Sequence, residues 1–251
     1  ANSGEDYEID QSIRFNDNDS AHLSRPPSSA SNRRTWTFSA WIKRCNLGTR
    51  QGIFAATGQG FLQIGPDAAS AEVITLNNEG SGTNLDWYTD AVYRDPGAWM
   101  HIVWQFDSTQ STADDRTKLW VNGSRITDFT KVSTPDQNLE GAFNNNVEHK
   151  IGEGHIANFY LDAYLAEVNF IDGTAKEASD FGKTSSTTGQ WVPKKYTGSY
   201  GTNGFRLQGS DSSDLGEDTS GNGNDFSSSG LATNDQVIDT PTNNFATYSS
   251  I

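Results

Sequence analysis

Three segments of this chain alternate between apolar and polar positions and carry five of its seven tryptophans. They are residues 35–43, 99–107 and 118–123. In the first segment, one side of an extended chain would carry Trp36, Phe38, Ala40 and Ile42. A period of two is typical of strands that bury one face, so each segment is predicted to be a β-strand. The third ends in Asn122-Gly123, the dipeptide that most readily forms a tight hairpin turn.

Shorter apolar runs extend the same architecture. Further strands are predicted at residues 12–15, 52–55, 61–64, 72–76, 150–152, 159–170 and 204–207. The chain has 24 glycines and only 33% hydrophobic residues, which favours short strands joined by polar turns over helices. We therefore predict an all-β fold in which two antiparallel sheets form a β-sandwich, followed by a turn-rich C-terminal extension.

Composition divides the chain into three zones. Residues 1–11 are polar and acidic and are predicted to be an arm or linker. Residues 12–172 hold the strong strand signals and are long enough to form one sandwich domain. Residues 173–251 are predicted to pack on the sandwich and to lead to a following domain. Because the chain begins with alanine rather than methionine, it is predicted to be a processed product or a fragment of a longer protein.

Charge and cysteine content exclude several classes of function. The net charge is −14 and the pI is about 4.5, and no basic run exceeds two residues. Nucleic-acid binding needs a basic patch, so no such partner is predicted. No stretch approaches the roughly 20 apolar residues of a membrane-spanning helix, which predicts no membrane insertion. The single cysteine, Cys45, excludes an internal disulfide and a zinc site built from cysteines.

The order of these elements resembles the concanavalin A-like jelly roll of laminin G-like domains. The resemblance covers residues 12–172 and is carried by residues 12–15, 21–24, 36–43, 99–103, 119–123, 151–152 and 164–168. A second set of motifs is similar to a lectin-like module in large virion proteins of tailed, particularly marine, bacteriophages. That set comprises residues 14–15, 32–36, 41–44, 170–173, 179–182 and 195–205.

In those virion proteins, segments similar to residues 218–225 and 239–245 lead into a SPRY-like domain. The resemblance implies a virion-surface or extracellular location, with other virion proteins as partners. Self-association of the chain is left open. The fold alone does not identify a ligand, because sandwiches of this type serve as lectins, hydrolases and spacers.

No catalytic constellation stands out in the sequence. Glucanases of the laminarinase type place carboxylates on one strand in the pattern Glu-x-Asp-x-x-Glu, or one residue shorter, and neither pattern occurs in this chain. Glu167 and Asp172 share a strand but are an odd number of residues apart, so a regular strand would point them to opposite faces. His101 has no accompanying nucleophile motif. The chain is therefore predicted not to be an enzyme.

Exposed aromatic rings beside polar groups are the usual chemistry of sugar binding, because C–H faces stack on rings while polar neighbours bind hydroxyls. Residues 84–95, interpreted as a loop, offer this combination in Trp87, Tyr88, Asp90 and Tyr93. Ordinary loop packing of these rings is an equal alternative.

A second candidate sugar site lies on the polar side of the alternating strands. There, Trp41, His101 and Trp120 are predicted to line the concave face of a sheet. The favoured alternative is that the second sheet or the C-terminal tail covers these rings, since large aromatic side chains are usually buried. Trp191 in the tail is predicted to pack on the sandwich.

Two acidic turns could hold Ca²⁺, which prefers oxygen ligands. The candidate ligands are Asp17 and Asp19 in one turn, and Asp218 and Asp225 in the other. Neither turn matches the twelve-residue loop of an EF-hand. Because Asp, Asn and Gly are also the ordinary residues of turns, turns without metal are favoured, and no cofactor is firmly predicted.

The sequence thus predicts a virion appendage module that binds a host or environmental glycan without hydrolysing it. A structural spacer that binds no sugar is the first alternative. A glycan depolymerase is the second, and it requires carboxylates from different strands to meet in a groove.

Overall fold

The computed structural model describes residues 7–57, 60–156 and 158–243 of the chain. It contains two eight-stranded antiparallel sheets and a separate two-stranded hairpin. Residues 1–6 of the predicted arm and residues 244–251 of the predicted extension lie outside the described residues. Within the described ranges, no helix is long and apolar enough to cross a bilayer.

The first sheet takes its strands from both ends of the chain, and strands are numbered in chain order. In spatial order they are β10 (Ser124–Ile126), β9 (Thr117–Val121), β8 (Met100–Asp107), β3 (Thr35–Arg44), β13 (Ala163–Asp172), β1 (Ser12–Phe15) and β18 (Gln236–Val237). A further strand, β16 (Phe205–Leu207), also pairs with β13. The two ten-residue strands, β3 and β13, lie side by side at the centre.

The second sheet comes mostly from the first half of the chain. In spatial order its strands are β11 (Phe129–Ser133), β7 (Leu85–Thr89), β6 (Glu72–Asn78), β5 (Gly60–Pro66), β4 (Gln51–Ala56), β12 (His149–Ile151), β2 (His22–Arg25) and β17 (Ser227–Ser229). The hairpin consists of β14 (Gly182–Thr184) and β15 (Trp191–Pro193).

The core lies between the two sheets and follows the predicted alternation. The even-numbered apolar side chains of β3 are buried in it, namely Trp36, Phe38, Ala40 and Ile42. The ring of Trp36 lies 4.7 Å from that of Trp104, edge-on, and 4.9 Å from that of Phe143. Buried aromatic pairs of this kind stabilise a core beyond the area they bury. The prediction of an all-β two-sheet sandwich is confirmed.

The turn between β9 and β10 has the predicted hairpin geometry. Asn122 and Gly123 have φ angles of 49° and 77°, the left-handed values that a two-residue hairpin turn requires. Glycine is needed at the second position for another reason as well. A Cβ on Gly123 would lie 2.4 Å from Cε3 of Trp191, so the bare backbone allows the hairpin of the extension to pack closely.

The C-terminal extension supplies strands to both sheets. In the first sheet, Val237 of β18 pairs with Ser12 of β1. In the second, Ser227 of β17 pairs with Ser24 of β2. The division of the chain at residue 172 stays a prediction, but these later strands belong to the same two sheets.

Candidate functional site

The outer face of the first sheet is covered by the extension. Trp41, His101 and Trp120 lie on this face and are 4%, 0% and 7% exposed. The aromatic side chains that cover them come from the extension, namely Phe181, Trp191, Tyr196 and Tyr200. The three predicted residues therefore do not line an open sugar-binding face. The alternative, cover by the tail, is the arrangement found.

His101 is held as a neutral ring inside this covered layer. Trp191 Nε1 donates a hydrogen bond to His101 Nδ1 at 3.0 Å, so Nδ1 carries no proton. The other ring nitrogen, Nε2, lies 2.9 Å from the hydroxyl of Ser39, and Trp41 stacks on the ring at 4.8 Å. Burial lowers the pKa of His101 to about 3. Its role is therefore structural.

Residues 85–89, which we predicted to be part of a loop, form strand β7 and alternate regularly between the two faces of the second sheet. Trp87 points inward and is 2% exposed. Its ring contacts Phe129 at 5.0 Å, and Lys131 Nζ lies 4.3 Å from the ring centre. Trp87 is thus a core residue, and the prediction of an exposed loop aromatic is wrong for this position.

Tyr88 and Asp90 lie on the opposite, outer face of β7, in a depression with a volume of about 480 Å³. We call this depression the groove. Its lining also includes Arg50 and Asp67. The hydroxyl of Thr130 donates to Asp90 Oδ1 at 3.1 Å. Of the four side chains predicted in residues 84–95, the structure brings only Tyr88 and Asp90 together on one surface.

Cross-strand register shows which other side chains share this outer face. Residues paired across a sheet point to the same side. Tyr88 therefore shares one row of outward-facing side chains with its partner Thr75 on β6 and with Gln63 on β5. In the neighbouring row, Asp86 on β7 pairs with Asn77, which pairs with Phe61. The outer face therefore presents two aromatic side chains, Tyr88 and Phe61, with polar side chains between them.

Residues 152–156 form a wall beside these rows. Their backbone crosses the sheet so closely at Gly52 that a Cβ there would lie 2.1 Å from Gly154 N. His155 on this segment stacks on Phe61, with ring centres 4.0 Å apart and an angle of 18°. Gln63 Nε2 lies 3.3 Å from His155 Nδ1. The stacked pair gives the outer face a flat aromatic surface.

Sequence analysis missed Phe61 and His155 as site residues. The alternation of β5, in which Leu62 and Ile64 are buried in the core, was a sufficient signal to place Phe61 on the outer face. No sequence signal indicates that His155 stacks on it, because that contact depends on the path that residues 152–156 take across the sheet.

Electrostatics on this face are mixed. Burial raises the pKa of Asp86, while the side chains of Asn77 and Tyr88 and the charge of Arg50 act in the opposite direction. Burial also raises the pKa of Tyr88, so its hydroxyl remains protonated and can donate a hydrogen bond. For His155, burial and the charge of Arg50 lower the pKa. At neutral pH the aromatic rings are therefore uncharged, and Asp86 and Arg50 supply polar contacts.

Tyr93 lies away from the groove. It belongs to the segment between β7 and β8 and lines a separate pocket with Arg44 and Trp99. Its ring packs against the core, and burial raises the pKa of its hydroxyl.

Three of the four predicted calcium ligands, Asp19, Asp218 and Asp225, have carboxylate oxygens that already accept hydrogen bonds. Both carboxylate oxygens of Asp218 accept hydrogen bonds from backbone N–H groups, Oδ1 from Arg206 and Ser220 and Oδ2 from Asn224, all at 2.9 Å. Asp225 Oδ1 accepts from the backbone N–H of Asp218 at 2.8 Å. A cation at Asp218 would have to displace these donors, so the residues present do not fit Ca²⁺.

The other turn is similar, since Asn16 Nδ2 donates to Asp19 Oδ2 at 2.6 Å, and Asp17 opens a single 3-10 turn. Among the described residues, no group of three or more His, Cys, Asp or Glu side chains could hold a metal ion.

We expect Ca²⁺ or a chelator to leave the melting temperature of the domain unchanged. Asp218→Ala is expected to lower the free energy of unfolding by about 2–3 kcal/mol, because it leaves several buried N–H donors without an acceptor. Asp19→Ala, at an exposed turn, is the matched control and should have little effect. Thermal and urea unfolding measure both. A melting temperature that rises with Ca²⁺ would contradict this interpretation of the turns.

The carboxylates of β13 are also committed to structural contacts. Glu167 lies at a bulge with a φ of 49°, which breaks the regular alternation assumed from the sequence. Its carboxylate pairs with Arg206 Nη2 at 2.8 Å and accepts from the Tyr7 hydroxyl at 2.5 Å. Asp172 accepts from the backbone N–H of Asn203 at 3.0 Å and from the side-chain amide of Asn144. Both carboxylates thus have structural partners, and Glu167 also lines a polar pocket of about 200 Å³ with Tyr7 and Arg206.

Comparison with known structures agrees with this architecture. A candidate carbohydrate-binding protein from Bacteroides ovatus ATCC 8483 aligns with a TM-score of 0.59 and 15% identity, over 89% of this chain and 58% of its own. The present chain thus spans less than two thirds of that protein. At this identity the likeness shows the fold alone.

Two further solved structures are less similar, and no conclusion is drawn from them. Tailspike protein 2 of Escherichia coli O157:H7 bacteriophage CAB120 aligns with a TM-score of 0.46 and 17% identity, over 68% of this chain and 23% of its own. The SAP-like pentraxin of Limulus polyphemus also aligns with a TM-score of 0.46, at 16% identity, over 67% of this chain and 78% of its own. No curated protein sequence matches the chain.

A family comparison covers more than half of the chain. The family model for the concanavalin A-like lectin/glucanases superfamily, in its laminin G-like form, matches residues 16–180. Those residues include the long central strands and most of the second sheet. The chain therefore belongs to the concanavalin A-like lectin/glucanases superfamily.

Proposed function

We propose that this domain binds a glycan, without hydrolysing it, on the outer face of the second sheet. One observation carries the proposal. The extension covers Trp41 and Trp120 on the outer face of the first sheet, whereas Tyr88 and Phe61 on the second remain partly exposed beside polar groups. Rings with polar neighbours are what a sugar requires.

The spacing of these groups suits a chain of sugars rather than a single one. Tyr88 and Phe61 lie on strands separated by β6 and in neighbouring rows, so they are about 10 Å apart across the sheet and about 7 Å apart along it. Thr75 lies between them on β6 and offers a hydroxyl, while Asn77 beside it is only 8% exposed. One sugar ring would stack on Tyr88, and another, further along the glycan, on Phe61 with His155.

Tyr88→Ala is expected to weaken glycan binding at least tenfold, because an anchoring aromatic in a recognition site contributes about 2 kcal/mol. A glycan-array screen of the wild-type chain would find the ligand, and titration calorimetry would measure the loss. Tyr164→Ala is the matched control, since Tyr164 is a half-buried tyrosine on the first sheet. Trp87 is unsuitable for this test because its replacement would damage the core.

Two results would count against the proposal. If Tyr88→Ala and Tyr164→Ala weaken binding equally, the site does not lie on the second sheet. If the folded wild-type domain binds no glycan, including polysaccharide from marine bacteria, the domain is a structural spacer.

A hydrolase is the second candidate function, favoured by the acids near Tyr88. Burial raises the pKa of Asp86, as is typical of a general acid, and Asp67 and Asp90 line the groove. Incubation of the domain with any glycan that it binds, followed by an assay for new reducing ends, separates the two functions. We expect no new ends. Release of ends that Asp86→Asn abolishes would establish the hydrolase.

We further propose that the domain acts outside the cell, on the surface of a tailed-phage virion. The supporting observation is the set of sequence motifs that resemble those of virion modules. On that resemblance, residues 12–172 of this chain correspond to the jelly roll. In those modules a SPRY-like domain follows the segment that corresponds to the extension. Other virion proteins and a host or environmental glycan would be its partners. Several copies on one appendage, or self-association of the chain, would turn weak single contacts into firm attachment through avidity.

A further inference from the structure

A second pocket lies at one end of the sandwich, away from the groove. It has a volume of about 280 Å³ and is bounded by the end of β3, the start of β8 and the segment 92–99. We call it the end pocket. Its walls include the apolar side chains of Trp99, Met100 and Val121. Its size is just below the range typical of pockets for drug-sized ligands, so it suits one small group.

The end pocket is lined by an arginine whose hydrogen-bonding capacity is only partly used. Arg44 is 2% exposed. Its Nη1 lies 2.8 Å from Glu72 Oε2 and donates to the backbone oxygen of Tyr93 at 2.9 Å. Its Nε and Nη2 have no hydrogen-bond partner. Buried donors without partners are rare, and in native proteins they often mark the place of a ligand or a bound water.

The two unpartnered nitrogens define the chemistry of the missing partner. Nε and Nη2 form one edge of the planar guanidinium group and donate in parallel, which matches the two oxygens of a carboxylate. The hydroxyl of Tyr93 is also buried without a hydrogen-bond partner of good geometry. An acceptor in the end pocket could therefore satisfy donors from two side chains.

The end pocket is close to charge-balanced although the whole chain carries −14. Arg44 and Arg94 line it with Asp95, and Glu72, outside the lining, neutralises the charge of Arg44, so recognition rests on the directed donors of Arg44 rather than on net charge. Asp95 Oδ1 accepts from the backbone N–H of Gly97 at 2.8 Å. The ion pair between Arg44 and Glu72 uses the opposite side of the guanidinium group, so it does not occupy the Nε–Nη2 edge.

We infer that the end pocket binds the carboxylate of an acidic sugar residue, a hexuronate, with the Nε–Nη2 edge of Arg44 as its anchor. The C–H groups of the sugar ring pack against Trp99 and Met100. Both unpartnered nitrogens of Arg44 are shielded from solvent, so binding requires a local movement of the side chains that line the end pocket. The end pocket is separate from the groove, and the inference stands whether or not the groove binds a glycan.

The test is a titration of the ¹⁵N-labelled domain with digalacturonate, followed through the Nε–H signals of its arginines by NMR. We expect the Arg44 signal to shift, with saturation at millimolar ligand. The methyl ester of digalacturonate, which lacks the carboxylate charge, should bind at least tenfold more weakly. Acetate, titrated in parallel, tests whether the carboxylate suffices without the sugar. A shift of Arg44 with acetate at equal affinity would overturn the assignment to a sugar.

Matched variants separate recognition from folding. Arg44→Lys keeps the positive charge beside Glu72 but removes the parallel donors, and we expect at least a tenfold loss of affinity in a chain that still unfolds cooperatively. Should this variant not fold, Tyr93→Phe, which removes only one hydroxyl, is expected to weaken binding about threefold. Tyr88→Ala must leave digalacturonate binding unchanged.

Besides the acetate result, three outcomes would overturn the inference. They are equal affinity for the acid and its ester, loss of binding in Tyr88→Ala, and a crystal structure grown with digalacturonate in which only water contacts Nε and Nη2 of Arg44. Loss of binding in Tyr88→Ala would assign the ligand to the groove. That result would support the proposed function and would rule out binding in the end pocket.

Discussion

Lowering the pH from 7 to 5 is expected to reduce the free energy of unfolding by about 4 kcal/mol through two buried histidines. His101 lies in the layer under the extension, and His149 lies in the second sheet. The backbone N–H of Asn144 donates to His149 Nε2 at 3.0 Å, just as Trp191 donates to His101. Each ring nitrogen that would take up a proton therefore faces a hydrogen-bond donor.

The direction of the effect follows from the pKa of each ring in the two states. In the unfolded chain a histidine has a pKa of about 6.5. In the folded domain, burial lowers the pKa to about 3 for His101 and about 4 for His149. Between these values the unfolded chain binds more protons, so stability is fully present above about pH 6.5 and is lost as the pH falls.

Urea unfolding at pH 7, 6 and 5 measures this loss, in a range where most carboxylates remain ionised. His149→Gln should remove about half of the pH dependence, and His101→Gln should remove about the other half. A free energy of unfolding that stays constant between pH 7 and 5 would show that the two rings are not held neutral.

Arg206→Met is expected to lower the free energy of unfolding by about 3–5 kcal/mol, because it leaves the buried carboxylate of Glu167 without its positively charged partner. Arg206 and Glu167 are 6% and 5% exposed. Nη2 and Nε of the arginine lie 2.8 and 3.2 Å from the two carboxylate oxygens. The pair joins β16 of the extension to β13 at the centre of the first sheet, so its loss also weakens the attachment of the extension.

The double variant Arg206→Met with Glu167→Gln is the control for this prediction. It removes both charges, and because no unpaired charge remains buried, it should recover much of the lost stability. Urea unfolding of the wild type and both variants at pH 7 makes the comparison. If Arg206→Met costs less than about 1 kcal/mol, the contact is as weak as an exposed ion pair.

The long strands could be predicted from sequence because each carries its own evidence. Alternation over nine residues placed Trp36 and Phe38 in the core without any knowledge of their partners. The same reasoning failed for residues 84–95, because β7 is only five residues long and carries one aromatic ring on each face, Trp87 inward and Tyr88 outward. Trp87 was therefore assigned to a loop, with sugar contact and ordinary packing as equal alternatives, whereas it is a buried strand residue.

The candidate site could be predicted only in part. Tyr88 and Asp90 were identified because aromatic and acidic residues lie close together in the sequence. The stacking of His155 on Phe61 brings together residues far apart in the chain, and the composition of either segment gives no sign of it. Likewise, acidic turns such as that of Asp218 have the same composition whether their oxygens accept from backbone N–H groups or bind a cation.

The pairing of β1 with β18 and of β2 with β17 has a consequence for biosynthesis. The partners β18 and β17 lie more than 200 residues after β1 and β2 in the chain. Neither sheet can therefore be completed until the ribosome has made nearly all of the domain. Contacts of such long range slow folding and leave strand edges exposed in the meantime. The yield of the folded domain on expression should therefore respond to translation speed as well as to the stability of the finished sandwich.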